Sequence, residues 1–526
     1  MKKKDKNNNK NKLIRIVDQP LKKEILDGVS KEEKNKITDI PTNDPLVLKA
    51  IFQNEDGDSY LLIKLFKDKY LFDHAANRWY YFNDHYWRYD ELHHAPVLIK
   101  DVIRLYNQQL NYQQFALSAA DKDGDEQEIK THKYIIKKIN ERVEQMHTLR
   151  RKKSILSLAV CGKNSLGYHG NDWDTKPMLL CCKNGCIDLK KGSFEEGRPG
   201  DYLKTISPIN WEGLEAPCPR WEKFLLDIFG HDQELVDFMQ RLLGYGITGL
   251  TTEHVYPILW GAKGRNGKST MLEILKHILG RLAYKAPATF FMQQKQGKSP
   301  GGADAELMAF RGARLVWGAE TNEGDRLDTG KLKEMVGADT ISARPPYGKR
   351  QIEFKPTHLL LLITNKRPRI PANDKALWRR ILLIPFLYSF VDNPAPDNKY
   401  QVKADKELPE KLLEESSGIL AWLVRGCFLW QEYGLNPPDS VSVATKEYQA
   451  EEDIVGHFIN EKCIIGDPTN IAFRETPKKI YDAYKEWCNE VGHFPRAKKH
   501  FLKDFRERFA TKKNVVTYFI GVTLVF

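Results

Sequence analysis

The sequence predicts a multidomain α/β protein with a parallel sheet at its centre, and three observations carry that expectation. Between Val255 and Phe386, short leucine-rich or β-branched runs alternate with helical stretches, as strands do when helical crossovers pair them in parallel. At 526 residues the chain is too long for one hydrophobic core, which points to about two to four domains. Its 41% hydrophobic and 29% charged content is ordinary for a globular protein.

Residues 1–40 begin with a lysine- and asparagine-rich stretch that no apolar segment follows, so a disordered basic arm is expected rather than a secretory signal. The longest wholly aliphatic run, Leu359 to Ile363, is far too short to span a membrane. A cytoplasmic location is the resulting expectation. Residues 41–212 read as a mixed α+β N-terminal domain. Within it, Tyr70 to Tyr89 is crowded with rings and broken at Asn83-Asp84, which predicts a β-hairpin whose aromatic face either packs as core or stacks bases. Asp121 to Glu128 mimics a calcium loop, but its glycine stands fourth where that loop needs it sixth, so it reads as a solvated loop. Asn184-Gly185 marks a turn into a strand.

Prolines 217 and 219 open a helical collar over residues 213–250, where apolar residues from Trp221 to Tyr245 recur at helical spacing. Residues 251–395 follow as the central α/β domain, 396–440 as a helical segment, and 441–526 as a basic helix-plus-hairpin module of the winged-helix kind. Lys and Arg number 82 against 70 Asp and Glu, a net charge of +12, so a polyanion is the expected partner. The eight cysteines form no Cys-x-x-Cys pair, and Cys181, Cys182, Cys186 and Cys218 read as buried reduced thiols rather than a zinc site.

The chemistry concentrates after the strand Tyr256 to Trp260. There Ala262-Lys263-Gly264-Arg265-Asn266-Gly267-Lys268-Ser269-Thr270 matches a phosphate-gripping loop, with Ala262 at the place of its first glycine. Gly264 and Gly267 allow backbone amides to turn inward around an anion, Lys268 supplies a point charge for the terminal phosphates, and the Ser269 hydroxyl suits a magnesium ion. Glu320 ends the strand-like run from Arg314, where it could polarise water or help hold the metal, and Glu323 is a second candidate. Asn365 ends a third apolar run and could sense the γ-phosphate. Arg379 and Arg380 precede a further strand, Ile381 to Phe386, where one of them could reach a neighbouring subunit's nucleotide. Lys331 to Phe354 reads as helix, strand, tight tip, strand. Arg344, Tyr347, Lys349 and Arg350 near that tip are suited to stacking and phosphate contacts with single-stranded DNA.

In this order the motifs resemble a superfamily-three helicase of the phage/plasmid and poxvirus-type primase-helicase family. The resemblance extends over about residues 60 to 526 and takes in Asn184-Gly185, Cys218-Pro219-Arg220-Trp221, Leu243-Gly244-Tyr245, Gly418 to Trp422, Tyr448 to Asp453 and Trp487-Cys488. It implies an AAA+-like P-loop NTPase core using ATP and Mg2+, and a hexameric ring translocating on single-stranded DNA at a forked duplex among other replication proteins. By the same resemblance Lys268, Glu320, Asn365 and the arginine pair are catalytic, Ser269 and Glu320 serve the metal, and Arg344 to Arg350 form the DNA hairpin. Residues 1 to 210 lack the Asp-x-Asp or Asp-x-Glu strand end of a primase. The competing readings are an ATPase that loads or remodels other proteins, and an origin-binding initiator without processive unwinding.

Overall fold

The structure, a computed structural model, describes residues 43–294, 304–319, 321–322, 324–344, 351–513 and 516–525. The basic arm of residues 1–40 therefore lies outside the described residues, as do Glu320, Glu323, Tyr347, Lys349 and Arg350. Two compact units emerge, one running to Trp173 together with Arg198–Lys204, the other comprising Asp174–Gly197 and the chain from Thr205 onward.

In the first unit, helices Pro45–Phe52, Asn54–Phe66, Ile99–Asp123, Glu126–Met146 and Leu149–Ala159 bury Leu62, Ile99, Val102, Ile139 and Ile155 among themselves. Asp58 sits inside that core, where its carboxylate accepts from Tyr106 Oη at 2.6 Å, Arg142 Nη1 at 3.0 Å and Arg151 Nη2 at 2.6 Å. A buried carboxylate needs such partners, because without them its desolvation would cost several kcal/mol, order of magnitude. The expected aromatic hairpin is present as Arg78–Asn83 and Tyr86–Tyr89, with Tyr70–Asp73 antiparallel to its first strand. Tyr80, Trp87 and Trp173 are buried together, so these rings serve as core. The acidic run at Asp121 is not the loop expected. The preceding helix continues to Asp123, Gly124 closes it at φ 72, and Asp125 caps the next helix through the amides of Gln127 and Glu128.

The second unit begins with the hairpin Leu179–Cys182 and Gly185–Asp188. The sequence placed this segment with residues 41–212, whereas its contacts tie it to the central domain, because the fully buried Arg314 donates to the carbonyls of Lys176, Leu179 and Thr248. Cys181, Cys182, Cys186 and Cys218 are all buried here as thiols, and burial holds Cys218 up at about 12. Helices α1 (Pro219–Ile228) and α2 (Gln233–Gly246) form the collar, each with its apolar face inward.

The central domain consists of β1 (Tyr256–Trp260), α3 (Lys268–Leu279), β2 (Ala283–Pro287), β3 (Leu315–Ala319), α4 (Thr329–Val336), β4 (Leu359–Thr364) and β5 (Ile381–Pro385). The five strands form one all-parallel sheet in the order β5-β1-β4-β3-β2. β4 is buried at every residue, as expected for a strand covered on both faces. The neighbouring strands β1 and β4 send their connections to opposite edges of the sheet, β1 to β2 and β4 to β5, and ligands of open parallel sheets bind beyond the strand ends at such a point. Helix α5 (Ser416–Tyr433) packs on α2, where a Cβ on Gly244 would lie 2.2 Å from Cys427 N; the two backbones touch only because that side chain is absent. Helix α6 (Asp439–Glu451) then crosses β5, its Thr445 hydroxyl accepting from Leu383 N.

Replacing Arg314 with leucine would remove the buried guanidinium that donates to the carbonyls of Lys176, Leu179 and Thr248. A loss of about 3 kcal/mol in stability is expected, read as a lower urea midpoint, and an unchanged midpoint would show that the hairpin is held by other contacts.

Candidate functional site

The segment between β1 and α3 is a concave turn made by three left-handed residues, Gly264 at φ 70, Arg265 at φ 50 and Gly267 at φ 79. Successive amides in such a turn converge on a common point, and the first turn of α3 adds further N–H groups with no partner inside the helix. Gly267 must be glycine on two grounds: its φ, and a Cβ there would lie 2.5 Å from Ile228 Cγ2 in the collar. Ala262 is not among the positive-φ residues, so its methyl is tolerated. The glycine required by close approach stands one residue earlier than the sequence pattern placed it. At Gly261 a Cβ would lie 2.6 Å from Phe386 O and 2.7 Å from Lys268 Nζ. By contrast, a Cβ on Gly264 would meet only Asn365 Nδ2, at 4.0 Å, so the hollow of the turn is open.

The turn is braced by the chain leaving β5. Asn266 Nδ2 donates to Phe386 O at 2.9 Å and to Tyr388 O at 2.7 Å, while Phe390 N donates to Arg265 O at 2.9 Å. This bracing was invisible in the sequence because it joins segments about 120 residues apart, and only the polar residue between the two glycines hinted at it.

Lys268 is 5% exposed, and its ammonium donates to Asn266 Oδ1 at 3.1 Å, Asn365 Oδ1 at 3.1 Å and Gly261 O at 3.4 Å. All three acceptors are neutral. Burial pushes its pKa down to about 8, since no anion compensates for lost water. Asn365, one residue past the end of β4, thus meets the lysine, a contact the sequence reading had not foreseen. Ser269 and Thr270 line the same cleft, as do Ala319 at the end of β3, Lys285 of β2 and Glu273 of α3, whereas Ala262 and Lys263 lie outside its lining. Glu320, next after Ala319, is outside the described residues. The exits of β3 and β4 are bolted together by the Thr321 and Thr364 hydroxyls, 2.6 Å apart, a pair the sequence did not suggest.

The arginine pair is not in this cleft. β5 runs parallel to β1 with Ile381 beside Tyr256, so Arg379 and Arg380 lie at the far end of the sheet, about 16 Å from the turn at ~3.3 Å per residue. Arg380 Nη1 donates to Ala376 O at 2.7 Å, and Arg379 is exposed with no side-chain partner among the described residues. The expected hairpin is present as Ile341–Ala343 antiparallel to Ile352–Phe354, with Arg344 at the end of its first strand and the tip outside the described residues.

Two outcomes follow from the lysine and the glycine. Because the folded pKa of Lys268 lies below its ordinary 10.5, the unfolded chain binds more protons between about pH 8 and 10.5, and this group makes the free protein more stable as pH rises through that window. A polyphosphate would restore the charge, so its affinity should fall as pH rises past about 8 while Lys268→Met loses that dependence in titration calorimetry. Gly267→Ala should weaken triphosphate binding at least tenfold, with circular dichroism unchanged.

Residues 59–230 match a family described as D5 N terminal like, and residues 259–380 match a family of unknown function, DUF5906. "Putative helicase L207/L206" of Acanthamoeba polyphaga mimivirus is 26% identical over 469 residues, 85% of this chain and 48% of its own length. "Putative helicase 022R" of Frog virus 3 is 32% identical over 61% of this chain and 39% of its own, and "Putative primase C962R" of African swine fever virus is 22% identical over 60% and 34%. The chain thus spans about half or less of each of these relatives. A solved structure, the apo NrS-1 C terminal region, aligns with 89% of this chain and 99% of its own at 12% identity and a TM-score of 0.43. Among the described residues no helix is long and apolar enough to cross a membrane. The two models match successive parts of the chain, and the similar viral proteins carry the names putative helicase and putative primase, consistent with the primase-helicase family that the chain's own residues resemble.

Proposed function

We propose that the chain is an ATP-driven DNA helicase motor serving replication of a viral or mobile-element genome. The observation that carries this reading is Lys268: a buried ammonium with only neutral acceptors, set under an open turn of convergent amides at the point where the sheet reverses. A phosphate chain is the ligand whose charge and acceptor oxygens fit that arrangement. The strand order and its loop support an AAA+-like P-loop core.

In this reading the amides of Gly264 to Thr270 hold the β- and γ-phosphates, and Lys268 keeps its charge against them while Asn365 holds the lysine and reports on the γ-phosphate. Ser269 is the hydroxyl placed to serve Mg2+, which when bound neutralises charge on the phosphate oxygens. Glu320 orients the attacking water from the exit of β3. Arg379 is the trans finger: it lies too far from its own chain's turn to act there, it is solvent-facing, and Arg380 is already committed to Ala376 O. Such a role requires a closed ring, taken here as a hexamer, with one nucleotide between each pair of subunits. The hairpin bearing Arg344, Tyr347, Lys349 and Arg350 faces single-stranded DNA in the channel.

Unwinding of a forked duplex under ATP and magnesium tests the whole reading, and assembled rings that hydrolyse ATP without unwinding would overturn the helicase assignment. Lys268→Ala should abolish hydrolysis. Arg379→Ala should keep nucleotide affinity within about threefold yet lower turnover at least a hundredfold, the scale of a trans arginine. Mixing it with Lys268→Ala should recover part of the activity, because some interfaces then pair an intact loop with an intact arginine. No recovery, or an equal loss in Arg380→Ala, would remove the assignment. Lys349→Ala combined with Arg350→Ala should weaken single-stranded DNA binding and leave basal hydrolysis in place.

A further inference from the structure

Beyond the ends of β3 and β4 the two chains stop pairing as strands, yet they stay together. The register of β3 on β4 ends at Ala319 beside Ile363. Backbone contact resumes further on, where Arg369 N donates to Asp325 O at 2.7 Å and Leu327 N donates to Arg369 O at 3.2 Å. Thr321 and Thr364 bridge the interval, their hydroxyl oxygens 2.6 Å apart. In sequence, two residues with roles in the proposed motor flank this pair: Glu320 immediately precedes Thr321, and Asn365 immediately follows Thr364.

The bridge is a closed cluster of three oxygens. Thr321 Oγ1 lies 2.7 Å from Lys366 O, and Thr364 Oγ1 contacts the same carbonyl while accepting from Lys366 N at 2.9 Å. The hydroxyl protons of both threonines are used inside this cluster whichever way each points, so neither is left to meet a ligand. The cluster holds the backbone on both sides of Asn365, whose Oδ1 accepts from Lys268 Nζ at 3.1 Å. Thr364 also reaches the turn between β1 and α3, because its carbonyl accepts from Gly261 N at 3.2 Å. One buried residue, 2% exposed, thus touches the turn through its backbone, the exit of β3 through its side chain, and Lys268 through the residue that follows it.

We propose that Thr321 and Thr364 are a positioning pair that holds Glu320 and Asn365 in register at the terminal phosphate. This rests on the motor reading of the cleft, in which Glu320 orients water and Asn365 reports on the γ-phosphate. The physical case is one of stiffness. A chain that has left its ladder gains conformational freedom, and a catalytic group misplaced by ~1 Å can lose about a hundredfold in rate. Hydroxyl bonds in a half-buried cluster resist that drift, and they fix direction as well as distance. Valine has the shape of threonine without the hydroxyl, so the bond can be removed while most of the packing stays.

The test follows ATP turnover of the full chain, together with binding of ADP alone and of ADP with aluminium fluoride, a mimic of the phosphoryl group in transfer. Thr321→Val should lower kcat about tenfold or more while ADP affinity stays within about threefold, and the aluminium fluoride complex should weaken by the same factor as kcat. Thr321→Ala must show the same split, which keeps the result independent of how valine packs. Thr321→Ser retains the hydroxyl and should recover most of the turnover. Thr321→Val combined with Thr364→Val should lose less than the product of the single losses, because the two hydroxyls act as one unit. Turnover of Thr321→Val within about twofold of wild type would overturn the proposal, as would a loss that Thr321→Ser shares or one that falls equally on ADP. Wild-type protein that hydrolyses no ATP would remove the motor reading and this pair with it, whereas an unchanged variant of an active wild type removes the pair alone.

Discussion

The central domain is organised around one electrostatic constraint, the burial of the Lys268 ammonium among neutral oxygens. A charge removed from water without a counter-charge is costly, and the cost appears here as a lysine pushed down to about 8. The surrounding fold makes that position tolerable. Asn266 and Asn365 turn their amide oxygens to the ammonium, Gly261 leaves room for it, and the sheet brings β1 and β4 side by side so that both asparagines are within reach. In the proposed reading the arrangement is preorganised for an anion, whose charge would offset a desolvation that folding has already incurred.

The loop is held in place by contacts of its own. A turn with three left-handed residues would be mobile if left to itself, since glycines lose much entropy on ordering. Asn266 and the amide of Phe390 tie it to the chain beyond β5, and Gly267 lets it settle against Ile228 of the collar. Collar, loop and β5 exit thus behave as one packed unit. On the far side, Arg367 lies between the rings of Trp260 and Tyr448 and pairs with Glu451, while Ile370 N donates to Glu452. The segment from Asn365 to Asn373 is therefore pinned by α6 and the residue following it, and these contacts join the strand exits of the central domain to the C-terminal residues.

Much of this was legible in the sequence, and the reasons are physical. The apolar runs of β1, β3, β4 and β5 stand out because strands covered on both faces admit little else, and the Gly-Lys-Ser run is recognisable because few residue types can turn amides toward an anion. The collar helices were visible through their spacing, and the hairpin of Ile341 and Ile352 through its apolar strands on either side of a Pro-Pro and Gly tip. β2, Ala283–Pro287, escaped notice: Ala-Tyr-Lys-Ala-Pro has no strand-like run, and it is a strand because β3 offers it a partner. The aromatic segment at Tyr80 illustrates the same point, since its composition suits stacking as well as core, and packing against Trp173 decides in favour of core.

The sequence by itself determined local chemistry: which loop can hold an anion, which strands flank it, which residues at their ends are polar, and that the surface is basic. Tertiary structure alone decided which of these meet. It put Gly261 rather than Ala262 at the point of closest approach, turned Asn266 into a brace, joined Thr321 to Thr364, and moved the strand pair after Asp174 onto Arg314. It also set the arginine pair at the end of the sheet away from the loop. The division has one cause. Propensity and spacing act over a few residues, whereas steric fit, buried hydrogen bonds and strand register depend on segments tens to hundreds of residues apart, and those distances are fixed only when the chain is packed.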